Sequence, residues 1–181
     1  MNPKVKQKFQ ALEEQRSLLY KMTDHLTDDQ ANIKPKDNGW SLAQVYYHIY
    51  LIESNTYDYI SYKIKEGAHV PKAGFKEWSR YMLLKISLGL PIKYRAPRKV
   101  SEPIPDVVKF NELKESWSEK RESFKLLLEV MSPEQLHSQM FNHPRVGRIN
   151  IFQTLEFLRD HHHHHLPQIK NRLSTIEASL N

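Results

Sequence analysis

Five consecutive histidines, His161 to His165, stand inside a helical pattern rather than at a terminus. Ile151, Leu155 and Leu158 precede the run and Ile169, Leu173 and Ile176 follow it. An affinity tag would be terminal and flanked by linker residues, so the run belongs to the fold. Imidazole is the commonest protein ligand for zinc, nickel and related ions. Only residues three or four apart on a helix point the same way, and within the run only His161 and His165 are four apart. Far upstream, a Trp-Ser-Leu-Ala-Gln-Val-Tyr-Tyr-His stretch ends at His48. Together these features suggest a metal site.

At 100° per residue, His162 falls nearest the centre of the apolar stripe of the last helix and His161 on its edge. A lone histidine on such a face reads as a hydrogen-bonded core residue, while His163 and His164 face solvent or the flank. The competing ligand pair is therefore His162 with His165. The i, i+4 spacing familiar from helix-borne metal sites favours His161 with His165. His48 is the candidate third ligand, against a core role on its own helix. His25, His69 and His137 read as surface residues, and His143 could reach a pocket mouth. Glu53, Glu156 and Asp160 are candidate carboxylates, each equally well explained as a helix-surface charge, and none is assigned.

The elements that must position these groups are helices almost throughout. Val5, Phe9, Leu12, Leu19, Met22 and Leu26 recur at helical spacing, which predicts a first helix ending near Leu26. Thr27 to Gln30 has capping-box spacing and starts a short helix before Pro35. Ser41 caps a second long helix, with Gln44 closing the box and Trp40 placed to staple against Val45. Gly67 is its expected end. His48, Asn55 and Tyr59 share one flank of that helix as a polar seam. Residues 75 to 90 read as a short helix stopped by Gly89 and Pro91, and Pro91 to Pro105 as an extended crossover. A third long helix runs through Phe110, Leu113, Trp117, Phe124, Leu127 and Met131. Ser132-Pro133-Glu134-Gln135 marks another short helix, His143 to Gly147 a turn, and Asn150 the cap of a last helix reaching about Ala178. Pro167 lacks the amide hydrogen for His163 and should produce a local bend. No strand alternation of useful length is visible. Four long amphipathic segments predict an all-α four-helix bundle with short additional helices in the connections.

The 181 residues, 39% of them hydrophobic, suffice for one domain spanning 1–181 with a real core. With no cysteine, disulfides, thiolate metal sites and a cysteine nucleophile are excluded. No stretch approaches the roughly 20 apolar residues of a membrane span, and no apolar signal core follows the N-terminus. A cytoplasmic location is the default expectation. The net charge of +6 would permit nucleic-acid binding. The one concentrated basic stretch, Lys93 to Lys99, reads instead as a solvated loop, and no nucleic-acid partner is expected.

Trp40-Ser41 followed by His48, and Gly147, Glu156, His161 and His164-His165 ending in Gln168-Ile169, resemble the DinB-like superfamily, which includes the bacillithiol S-transferases. The likeness covers most of the chain, including the helix order and the Leu26-Thr27 and Ser132-Pro133-Glu134 junctions. It implies an up-down-down-up bundle whose divalent metal is held by one histidine of the second helix and an i, i+4 pair of the last. The matching positions are His48, His161 and His165.

Three neutral imidazoles suit zinc or nickel and leave a coordination position open for water or substrate. Two functions from different classes follow. By resemblance, the first is a metal-dependent enzyme transferring a low-molecular-weight thiol, such as bacillithiol, to an electrophilic small molecule, with metal-dependent hydrolysis as its near neighbour. The second is a non-catalytic, stress-associated metal-binding bundle. The resemblance and the apolar segment from Trp78 to Leu90 also lead to an expected homodimer.

Overall fold

The structure, a computed structural model, describes residues 1–67, 71, 72, 74, 78–83, 85 and 103–180. Helix α1, Pro3–Thr23, is capped by the Asn2 side chain, which accepts from the amides of Lys4 and Val5. It stops at Thr23, short of the expected Leu26. There the hydroxyl turns back on the Leu19 carbonyl and the Leu26 amide bonds the Thr23 carbonyl, so Leu26 enters the core from a turn. A Thr27–Gln30 capping box starts α2, Asp28–Ala31. Helix α3, Leu42–Lys65, begins with the reciprocal Ser41–Gln44 box and is closed by Gly67, whose φ of 59° favours a residue without Cβ.

Residues 78–83 and 85 are helical. The rest of the helix expected over 75–90, the crossover as far as residue 102, and His69 lie outside the described residues. Helix α4, Phe110–Val130, is followed by a Ser132–Gln135 capping box that opens α5, Pro133–His137. Two strands were not foreseen. β1, Phe141–His143, pairs antiparallel with β2, Gly147–Ile149, across the expected turn. Three residues per strand are too few for alternation to show in a sequence. Helix α6, Ile151–Leu180, starts with Asn150 and Gln153 exchanging cap bonds and continues through Pro167 as one element.

Around the bundle the order is α1, α6, α3, α4, returning to α1, so α1 and α3 face each other across the diagonal. Side-chain pairs give the directions. Lys8 meets Glu156, while Leu19 packs in one cluster with Ile169 and Leu173, so α1 and α6 run parallel. His48 faces His161 and Glu53 faces His162, whereas Ile60 joins the cluster of Leu155 and Leu158 nearer the start of α6, so α3 runs antiparallel to α6. Phe110, Leu113 and Trp117 pack with Val45 and Ile49, and Lys120 reaches Asp58, so α3 and α4 are parallel. The topology is up-down-down-up. Parallel neighbours cannot be joined by a short turn, which accounts for the long connection between α3 and α4.

The core divides into two apolar clusters. One holds Val5, Phe9, Leu12, Ile60, Phe124 and Leu155, and the other Leu19, Leu42, Val45, Ile49, Trp117 and Ile169. A buried polar layer of Glu53, Arg121 and His162 lies between them. No helix of the described residues is long and apolar enough to cross a membrane.

Candidate metal centre

The Ser41–Gln44 box fixes the first turn of α3, and His48 follows two turns into the helix on the side facing α6. His161 and His165 stand one above the other on α6. His48 Nε2 and His165 Nε2 each lie 3.2 Å from His161 Nε2, and the three ligand atoms all fall within 4.8 Å of one another. Among the described residues this is the one group of three or more histidine or carboxylate side chains with such convergence.

The orientation of His165 is set from outside the triad. Gln168 Oε1, 3.0 Å from His165 Nδ1, accepts its N–H and leaves the Nε2 lone pair facing inward. His161 Nδ1 is buried with no hydrogen-bond partner, so that ring interacts through Nε2. A neutral imidazole carries one N–H, so three Nε2 atoms converging at this distance cannot satisfy one another by hydrogen bonds alone. A cation resolves the conflict. Tetrahedral Zn–N bonds of about 2.0–2.1 Å place ligand nitrogens about 3.3 Å apart, close to the 3.2 Å that separates His161 Nε2 from each of the other two. The donor set therefore fits a divalent ion.

Burial, with a contribution from His164, pushes the His48 imidazole down to about 4. His165 is pushed down to about 3, chiefly by burial and then by His48, with Gln168 opposing. Burial, then His165 and His48, holds His161 well below the ordinary histidine value. All three rings are neutral at pH 7 and offer lone pairs. The exposed edge of the site carries Trp40, 37% exposed, with its ring centroid 5.1 Å from that of His48. Trp40 thus brings its ring against His48 at the start of α3. Arg172 of α6 donates through Nε to the Trp40 carbonyl at 2.8 Å, tying this loop to the helix that carries the histidine run.

The remaining candidates are distributed around the triad. His162 is buried with its Nε2 2.5 Å from Glu53 Oε1, which makes it the hydrogen-bonded core histidine rather than a member of the cluster. His163 is exposed and His164 half-buried. His143 packs on Phe157 at 4.5 Å between centroids, and Phe157 stands 5.8 Å from His161, so His143 is one ring removed from the triad rather than at a mouth. Burial, with Arg145 adding, pushes His143 down to about 4. His25 and His137 are exposed. In the polar seam, Asn55 is exposed while Tyr59 packs against Phe141 of the hairpin.

Glu53 is not a surface charge. Its Oε1 accepts from Arg121 Nη2 at 2.5 Å and pairs with His162, and its Oε2 accepts from Trp117 Nε1 at 2.7 Å and Arg121 Nε at 3.0 Å. Burial acting alone would raise its carboxyl, but Arg121 and then His162 outweigh it and hold the group down at about 2. Arg121 also reaches Glu13 Oε1 on α1 at 2.7 Å, so residues of all four long helices meet in this layer. Glu156 pairs with Lys8 and accepts from Tyr81 at 2.8 Å, and Asp160 pairs with Arg159. Sequence reading missed Arg121 and the burial of Glu53 because the partners are 68 residues apart. Gln168 carried a signal, its i, i+3 spacing from His165.

The comparisons with known proteins agree with this architecture. YuaE of Bacillus subtilis (strain 168), an uncharacterized protein, is 24% identical over 154 residues, which are 85% of this chain and 90% of that protein. Among solved structures, YfiT from Bacillus subtilis aligns with a TM-score of 0.58 at 20% identity, covering 98% of this chain and 90% of that one. YfiT is described as a probable metal-dependent hydrolase with an unusual four-helix bundle topology. The sequence profile of the DinB superfamily matches residues 11–169, and with nearly the whole bundle inside that match, the chain belongs to the DinB superfamily.

Proposed function

We propose that the chain is a divalent-metal-dependent enzyme, with zinc or nickel held by His48, His161 and His165. The observation that carries this reading is the convergence of three neutral imidazoles, with His48 Nε2 and His165 Nε2 each 3.2 Å from His161 Nε2 and all three ligand atoms within 4.8 Å of one another. When bound, the ion would supply the charge that makes a water or a thiol a nucleophile near neutral pH. The protein's own groups prepare that position. Gln168 holds His165 in the tautomer that presents Nε2, burial keeps the rings neutral, and Trp40 shields one side of His48. Glu53 already accepts four bonds and has no lone-pair capacity left for a proton-abstracting role.

Within this reading we favour transfer of a low-molecular-weight thiol to an electrophilic small molecule. The chain has no cysteine, so both the thiol and the electrophile come from outside. The description of YfiT as a probable metal-dependent hydrolase favours hydrolysis as the second reading. A homodimer belongs to the same proposal, supported by Trp78 and Leu83, 51% and 68% exposed on the helical segment 78–83.

The test is metal analysis of native-purified protein, followed by conjugation and hydrolysis assays over a panel of thiols, electrophiles and esters. Activity lost on chelation and restored by zinc or nickel supports the enzyme. Thiol consumption selects transfer, and product formation without thiol selects hydrolysis. Bound metal with no turnover across the panel would favour a non-catalytic metal-binding bundle.

A further inference from the structure

His162 is the one fully buried member of the histidine run that does not join the triad. It is 2% exposed, its Nε2 is held by Glu53 of α3, and its ring meets Trp117 of α4 edge-on with centroids 5.5 Å apart. Glu53 is itself locked by Trp117 and by both Nε and Nη2 of Arg121. The same two helices supply the triad, since His48 precedes Glu53 on α3 and His161 and His165 flank His162 on α6. A turn of α6 about its own axis would therefore move His162 and both neighbouring imidazoles together.

The sensitivity of that coupling is large. With side chains about 6 Å from the helix axis, a rotation of about 10° carries a ring nitrogen about 1 Å. Metal–ligand distances tolerate only about 0.2 Å. Apolar packing alone sets helix rotation loosely, because it is non-directional. A 2.5 Å bond to a carboxylate fixed by three further donors sets it closely.

We propose that His162, held by Glu53, is a positioning residue that sets the rotation of α6 against α3 and thereby the spacing of His48 from His161 and His165. This rests on the metal-binding reading of the triad for its functional consequence, though not for its geometry. Phenylalanine at this position keeps a ring against Trp117 and loses the bond to Glu53. Glutamine places an amide nitrogen where Nε2 stood and restores it.

The test compares the wild type with His162→Phe, His162→Gln and His163→Ala, the last altering an exposed neighbour. Zinc and cobalt(II) affinities are measured by chelator competition, and the cobalt absorption spectrum reports ligand geometry. In a metal-free arm, cysteines introduced at the exposed Tyr62 of α3 and Lys170 of α6 carry spin labels, specific because the chain has no other cysteine. Expected are a shifted or broadened label distance and at least a tenfold loss of affinity in His162→Phe. His162→Gln should recover both to within threefold in affinity, and His163→Ala should match the wild type. A label distance unchanged in His162→Phe overturns the positioning role whatever the affinity does. A shifted distance with wild-type affinity overturns its consequence for the triad. Should the wild type bind no metal, the metal reading itself fails and the label distances alone judge the positioning role. If His162→Phe does not fold, His162→Met takes its place with the same expectations.

Discussion

The three triad histidines differ in what holds them, and their substitutions should differ accordingly. His48→Ala, His161→Ala and His165→Ala each remove one of three converging nitrogens. Metal content of the purified variants should fall sharply in all three and remain unchanged in His163→Ala. Full stoichiometry in His48→Ala would eliminate a site shared between α3 and α6. Gln168 bonds the site at His165 Nδ1, away from the converging Nε2 atoms. Loss of such an outer partner typically weakens metal binding 10–100-fold. Gln168→Leu should therefore retain zinc at saturating concentration yet release it to a competing chelator at about a tenth or less of the wild-type affinity. Affinity equal to the wild type would show that packing alone orients the ring. Of these residues, the i, i+4 pair could be read from the run itself, because helix geometry is local. The assignment of His48 came from the family resemblance, since nothing in the local pattern says which helix lies opposite.

At the scale of elements, capping residues announced where helices begin, and they did so well. Thr27–Gln30, Ser41–Gln44 and Ser132–Gln135 all close reciprocal boxes, and Asn150 caps α6 as expected. These signals are legible because both partners lie within one turn. The layer built on Glu53 and Arg121 was not legible, because a charged residue on an amphipathic helix reads as solvated unless its distant partner is known. Breaking that layer should be costly. Removing one partner of a buried ion pair typically destabilises by about 3–5 kcal/mol, because it leaves the other charge uncompensated. Arg121→Met should lower unfolding free energy by about that amount in urea, while the double change Glu53→Met with Arg121→Met should recover much of it. The layer also predicts acid sensitivity. The Glu53 carboxyl is held at about 2 against an ordinary value of 4.5, so its contribution is present above pH 4.5 and is lost as pH falls from 4.5 toward 2. That contribution is on the order of 3 kcal/mol. Urea midpoints measured at pH 5, 4 and 3 should fall more steeply in the wild type than in the double variant. Parallel slopes would show that other carboxylates carry the acid response.

At the scale of the molecule, a homodimer is expected, with the segment bearing Trp78 and Leu83 at or near the contact. Light scattering at high micromolar concentration should give twice the 21.5 kDa mass, and Leu83→Glu should shift it toward the monomer. A monomeric wild type would count against pairing. The bundle topology has a further consequence, for the order of events in biosynthesis. His48 is translated 113 residues before His161. At roughly 5–20 residues per second, the ribosome needs about 6–23 s to deliver the second half of the site. During that interval α1, α3 and α4 can assemble, but Glu53 and Arg121 face the gap that α6 will fill. Ribosome-bound chains arrested before residue 151 should therefore capture no zinc, and protease resistance around Glu53 should rise only after α6 has emerged.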